Sequence, residues 1–219
     1  MRKTQENLNL LTIVFIVTLV ISNVITGKVI NLGISLFGNP ITIAGAIICY
    51  PVTYLITDIV GEIWGKKEAN RIVRYGFLSQ IIATLIIILT TYTPAVDPAM
   101  QEAYVALLGQ NWVFVVGSLA AYLVSQFLDV TIFHTIRSRY IERHGSTKGG
   151  KWIWNNLSTM TSQLVDTAIF ITIAFGLGFG WLWSAPGMLV NMLIGQYLVK
   201  FACALIDTPF FYFFTRDRA

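Results

Sequence analysis

Three features of the sequence predict an all-α polytopic membrane protein, a bundle of six transmembrane helices with both termini inside. They are a charge-poor composition, six long apolar runs, and lysines and arginines gathered between alternate runs. Of the 219 residues, 55% are apolar and only 12% are Asp, Glu, Lys or Arg. A soluble domain carries about 25% charged residues, and half that number cannot cover so apolar a chain in water. One domain over residues 1–219 is expected, because no Pro/Ser-rich linker, low-complexity tract or long charged run divides the chain. The net charge of +4 invites a nucleic-acid partner. The basic residues nevertheless sit in short clusters between apolar spans, as in cytoplasmic loops, so none is expected. Cys49 and Cys203 both fall inside apolar runs and read as small buried residues, not as a disulfide or metal site.

A bilayer core takes about 20 mostly apolar residues in helical form. The first span is placed at 8–26. Arg2 and Lys3 precede it as they would a signal peptide, but the apolar run is too long and no A-x-A cleavage pattern follows. Residues 27–39 (GKVINLGISLFGN) are too short to cross and are assigned to the interface. The second and third spans fall at 41–61 and 75–93. The segment between them, from Glu62 to Arg74, reads as a solvated topology signal, with a gate at the cytoplasmic mouth as the alternative. An acidic, Pro-bearing outer loop (TPAVDPAMQEAY) has no assignable chemistry, and the last spans fall at 112–134, 154–176 and 188–213. Helices are required because lipid offers no partner to unsatisfied backbone groups, and the runs lack the alternation of barrel strands.

Charge sets the orientation. With the N-terminus inside, inner segments hold Arg2, Lys3, Lys66, Lys67, Arg71, Arg74, Arg137, Arg139, Arg143, Lys148, Lys151, Arg216 and Arg218. Only Lys28 is outside and only Lys200 lies within a span, which predicts an N-in, C-in chain. All six tryptophans, Trp64, Trp112, Trp152, Trp154, Trp181 and Trp183, fall near span ends, where amphipathic rings meet headgroups.

An ionisable side chain inside a membrane is costly and marks a functional hypothesis. Asp58, Asp129, Asp166, Lys200 and Asp207 lie within spans, and Glu62 lies at the inner end of the second. Helical spacing gathers the polar residues into stripes. Tyr50, Tyr54, Asp58 and Glu62 form one in span two, and Tyr122, Ser125, Gln126 and Asp129 another in span four. Span five carries Asn155, Thr159, Ser162, Gln163 and Asp166, and in span six Gln196, Lys200, Cys203 and Asp207 share an arc of about 60°. Four such stripes predict an interior site for a polar solute. The competing reading is a Lys200–aspartate pair with amides that merely join helices, at about 0.6 kcal/mol per bond. SQFLDVTIF (Ser125–Phe133) and SQLVDTAIF (Ser162–Phe170) echo each other, by duplication or by parallel use of one polar device.

The stretch YPVTYLITDIVGEIWGKK (Tyr50–Lys67) resembles the signature of the queuosine-precursor transporter family, the vitamin-uptake-type transporters. So do Ser22-Asn23, QFLDVTIF from Gln126, NNLSTMTSQLVDT from Asn155, and Gln196 with Lys200. The resemblance runs over nearly the whole chain. It implies a six-helix inner-membrane importer of 7-deazaguanines, namely the 7-cyano or 7-aminomethyl compound or queuine, with the lipid bilayer as its medium. A carboxylate accepts the two neighbouring donors of a guanine-like edge, and flat rings stack on aromatics. The resemblance thus points to Asp166 or Asp58 for that edge. Asn23, Gln126, Asn156 and Gln163 would add hydrogen bonds beside Tyr54 and Gln196. Lys200 would meet the carbonyl or neutralise an aspartate in the empty site. Glu62, Asp129 and Asp207 are proton-coupling or gating candidates, with Asp58 also able to relay protons. A homodimer is a candidate assembly.

Two alternatives stand beside this reading. Substrate-binding subunits of energy-coupling-factor vitamin importers also have about six helices, but resemble one another in small residues spaced four apart in the first helix. Span one here contains neither alanine nor glycine. An intramembrane enzyme would need a catalytic His or a metal cluster, whereas His134 and His144 read as interface residues. No phosphate-binding loop motif occurs, so neither ATP hydrolysis nor a cofactor is expected.

Overall fold

The computed structural model describes residues 1–144 and 151–215, with side chains described except at 126, 129, 130, 134, 137, 144, 151–156, 204–209, 211, 212 and 215. Helix α1, Gln5–Ile25, begins where the Thr4 hydroxyl accepts a hydrogen bond from the amide of Asn7. A β-hairpin follows, β1 (Val29–Leu36) pairing antiparallel with β2 (Asn39–Ala44). Its two-residue turn places Phe37 at φ 51° and Gly38 at φ 78°, the twist that matches paired strands. A 3-10 turn, Gly45–Cys49, leads into α2, Tyr50–Ile63. Then come α3 (Lys66–Tyr92), α4 (Pro98–Leu108), α5 (Asn111–His144) and α6 (Lys151–Ile171). A π-helical turn at Thr172–Leu177, the short α7 (Trp181–Ser184) and α8 (Pro186–Thr215) complete the chain.

Five stretches among the described residues are long and apolar enough to cross a membrane: Gln5–Ile25, Gly45–Ile63, Lys66–Tyr92, Pro98–Ser125 and Leu157–Leu177. The protein is a mostly helical, polytopic membrane protein. Its outer faces carry bare apolar side chains, such as Leu10, Ile13 and Val17 on α1 and Leu78, Leu85 and Leu89 on α3. A water-soluble protein rarely leaves so large a patch uncovered.

The all-α expectation needs correction at the hairpin, and so does the start of the second span. Residues 41–44 are strand, and the helical stretch begins at Gly45. Ile41, Ile43 and Ala44 are apolar because they pack on protein, not lipid: β2 lies against α8. A side chain at Gly195 would come within 2.6 Å of the Ile41 side chain and 2.9 Å of the Thr42 carbonyl, so the missing Cβ permits the contact. The Asn191 amide donates to the carbonyls of Leu36 (2.6 Å) and Asn39 (2.7 Å), tying the hairpin turn to α8. The outer loop also holds structure the sequence reading left out. It forms α4, capped by the Asp97 carboxylate on the amide of Ala99, with Pro98 in the first turn.

Two buried clusters organise the interior. One joins Leu8, Phe15, Ile56, Val60 and Ile72 from α1, α2 and α3. The other joins Ala44, Phe114, Ala121, Phe170, Ile171, Ala174, Phe175, Leu189 and Met192. Gly76 brings α3 close to α1, since a Cβ there would sit 2.7 Å from the Phe15 ring.

Candidate functional site

Where the two clusters meet, a cavity of about 280 Å³ opens between helices. Phe15 of one cluster and Phe170 of the other both line it. Its volume falls just below the usual range of about 300–1,000 Å³ for small-molecule sites, which suits a compact ligand. Tyr50 and Tyr54, one turn apart on α2, face each other with ring centroids 5.4 Å apart. Across from them Phe77 of α3 meets Tyr122 of α5 edge to face at 4.8 Å. Aromatics therefore supply much of the wall, while Ser22, Asn23, Thr26, Thr53, Thr57, Asn70 and Ser118 add short polar groups.

Asp166 on α6 brings the one carboxylate among the described lining residues. Its Oδ2 lies 2.8 Å from Lys200 Nζ of α8, and its Oδ1 accepts a hydrogen bond from Ser125 Oγ of α5 at 3.3 Å. The Lys200 ammonium also stands 4.4 Å from the centroid of the Tyr50 ring. One turn back from Asp166, the Gln163 Oε1 accepts from the Tyr54 hydroxyl at 3.1 Å. Four helices that carry polar stripes in the sequence, α2, α5, α6 and α8, are thus joined by this group of side chains. A buried pair of this kind is held by mutual neutralisation; removing one partner strands the other charge at a cost of about 3–5 kcal/mol.

Asn23, Tyr54 and Asp166 line the cavity, and Gln163 and Lys200 touch residues that do. Gln196 is buried one turn from Lys200 but turns its Oε1 to the amide of Ala44 at 3.0 Å, so it ties β2 to α8. Asp58 and Glu62 continue the stripe of Tyr50 and Tyr54, yet both are exposed and neither is among the lining residues. The drift of an α-helical row over three turns carries them away from the cavity. The side chains of Gln126, Asp129, Asn156 and Asp207 lie outside the described residues. Among the described residues no cluster of His, Cys, Asp or Glu is arranged for a metal.

The sequence reading missed Phe15, Phe77 and Asn70. An aromatic within an apolar span carries no mark separating a cavity wall from lipid contact. Asn70 sits in the basic segment read as a topology signal, and with Ala69 it lines the cavity from the start of α3. A second polar set supports the α1 side of the site. The Asn111 amide donates to the Asn23 carbonyl at 3.1 Å, and Thr84 donates to Asn111 Oδ1 at 3.2 Å.

A partly polar, aromatic-walled cavity among membrane-crossing helices marks a multi-pass membrane protein with room for a small molecule. The family model described as "Putative vitamin uptake transporter" matches residues 44–214. The "Probable queuosine precursor transporter" of Bacillus subtilis (strain 168) is 31% identical over 180 residues, covering 82% of this chain and 73% of that protein. No solved structure matches the chain. The chain belongs to the vitamin uptake transporter family, and it is a membrane transporter, not an enzyme.

Proposed function

We propose that this protein imports 7-deazaguanine precursors of queuosine across a prokaryotic inner membrane, as a single six-crossing domain with both termini in the cytoplasm. The orientation rests on the lysines and arginines, thirteen of which fall on one side of six crossings, as named above. The ligand class rests first on the relative's name and second on the site.

The observation that carries the reading is Asp166, a carboxylate set in a cavity walled by Tyr50, Tyr54, Phe77 and Tyr122. A deazaguanine presents its ring N–H and exocyclic amine side by side. An ionised carboxylate has about four acceptor positions, of which Ser125 and Lys200 take two. One lone pair on each oxygen stays available for the guanine-like edge. Tyr50 and Tyr54 offer faces for the flat ring. Asn23, at the cavity wall, is assigned to the carbonyl or ring nitrogens, and Gln163, Gln126 and Asn156 are assigned as further hydrogen-bond partners. Asp58, exposed on the same helix as the tyrosines, fits a role in proton coupling better than one in holding the base.

The test is uptake in bacteria that neither synthesise queuosine precursors nor import them by their own carrier. Queuosine in tRNA is measured after feeding nanomolar precursor. The intact protein is expected to restore it, and Asp166→Ala at equal membrane level is expected to abolish it. No queuosine with any precursor, despite verified membrane expression, would refute the substrate assignment and leave the transporter class standing.

A further inference from the structure

The deazaguanines of this reading differ in charge. The 7-cyano compound is neutral, whereas the amine of the 7-aminomethyl compound is protonated at neutral pH much as a lysine is. What the cavity does with an extra cation depends on its own charges. Among the described residues that line it, Asp166 is the one Asp, Glu, Lys or Arg. That carboxylate is matched by Lys200 at 2.8 Å, with the two side chains only 14% and 5% exposed. A cation's other attraction in an aromatic cavity is a ring face. The Tyr50 face is taken by the same ammonium, 4.4 Å from its centroid. Lys200 therefore takes the lining carboxylate and one of the aromatic faces, and the pair leaves the described lining with no net negative charge to offer a cationic ligand. A second ammonium entering there sheds its water, meets no further carboxylate among the described lining residues and is repelled by Lys200.

We propose that Lys200 is a specificity-determining residue, a built-in cation that makes the site prefer uncharged 7-deazaguanines over the cationic aminomethyl form. The inference rests on the deazaguanine reading above. Hydrogen bonding to the guanine-like edge is common to both ligands and does not discriminate them. The discrimination falls on the 7-substituent and its charge.

The test is direct binding to the purified full-length protein in detergent micelles, where no membrane potential favours a cation. Three ligands are compared: the 7-cyano, the 7-aminomethyl and the 7-hydroxymethyl compounds, the last being close in size to the aminomethyl compound but uncharged. The expected result is binding of the cyano and hydroxymethyl forms at least about tenfold tighter than the aminomethyl form. Lys200→Gln, which leaves Asp166 as an unpaired anion, is expected to narrow or reverse that ratio, while Lys200→Arg keeps it. Equal or tighter binding of the aminomethyl form to the unaltered protein overturns the inference and leaves the deazaguanine reading intact. A hydroxymethyl form that binds as weakly as the aminomethyl form also overturns it, by assigning the preference to size. An unchanged ratio in folded Lys200→Gln removes Lys200 from the role. Failure of all three to bind overturns the deazaguanine reading itself. The three-ligand comparison needs no variant, so a misfolded Lys200→Gln does not decide the matter.

Discussion

Asp166 carries out two tasks with one carboxylate, binding Lys200 and Ser125 while facing the cavity. The two partners differ in weight. Ser125 contributes one long hydrogen bond to the carboxylate at 3.3 Å, and its removal costs about 1.5 kcal/mol, the low end for a bond to a charged group. Ser125→Ala is thus expected to weaken ligand binding by at most about tenfold in a titration of purified protein, leaving the fold intact. Tyr54→Phe keeps the ring wall and frees Gln163 Oε1 from its hydroxyl donor. Retained stacking with altered hydrogen bonding predicts a modest change in Kd. Tyr54→Ala removes the wall as well and is expected to cost at least about tenfold more. A Tyr54→Ala variant that binds as well as Tyr54→Phe would show that the ring makes no contact with the ligand.

The hairpin illustrates how an element is held when its own ladder is not enough. Two strands in isolation are marginal, and this pair has an irregular register between Asn31 and Ser35. It is pinned from outside. Asn191 takes two of its carbonyls, Gln196 takes the Ala44 amide, and Gly195 admits the Ile41 side chain. Asn191→Ala removes both hydrogen bonds that tie the hairpin turn to α8 and is expected to lower stability by about 1–3 kcal/mol. Gly195→Leu is expected to do more damage, because its first side-chain atom collides with backbone at Thr42. Thermal unfolding of detergent-solubilised protein checks both. Gly33, at φ 74° with open space around it, provides the contrast: Gly33→Ala strains only the local backbone, at about 1 kcal/mol. Equal losses for Gly33→Ala and Gly195→Leu would mean that the β2–α8 contact adds nothing to stability.

Across the whole molecule, the cavity lies at the seam of two separately packed clusters, with Phe15 on one side and Phe170 on the other. Such a seam is where helices can shift against each other without opening either core, as alternating access requires. Cys49 lines the cavity and offers a reporter, while Cys203 is not among its lining residues. In a Cys203→Ser background, a small membrane-permeant thiol reagent is expected to label Cys49, and a saturating 7-deazaguanine is expected to slow that labelling severalfold. Labelling at the same rate with and without ligand would place the ligand elsewhere.

Membrane class and the polar stripes were legible in the sequence, because each depends on local composition or on helical periodicity. The stripes of α5, α6 and α8 do converge, on Ser125, Asp166 and Lys200. The stripe of α2 converges only at Tyr50 and Tyr54, and its outlying Asp58 and Glu62 are exposed. No periodicity states how far along a helix its neighbours stay in contact. The hairpin was illegible for a related reason. ITIAGAII reads as a lipid span because lipid and a packed helix reward the same apolar side chains. The sequence by itself determined that this chain must bury itself in a membrane and keep a few ionisable groups away from lipid, since the cost of exposing them to hydrocarbon belongs to each residue alone. Only the tertiary structure decided that Asp166 pairs with Lys200, that Phe77 and Tyr122 complete the wall and that β2 lies on α8. Those outcomes depend on contacts between residues far apart in the chain, which local patterning cannot specify.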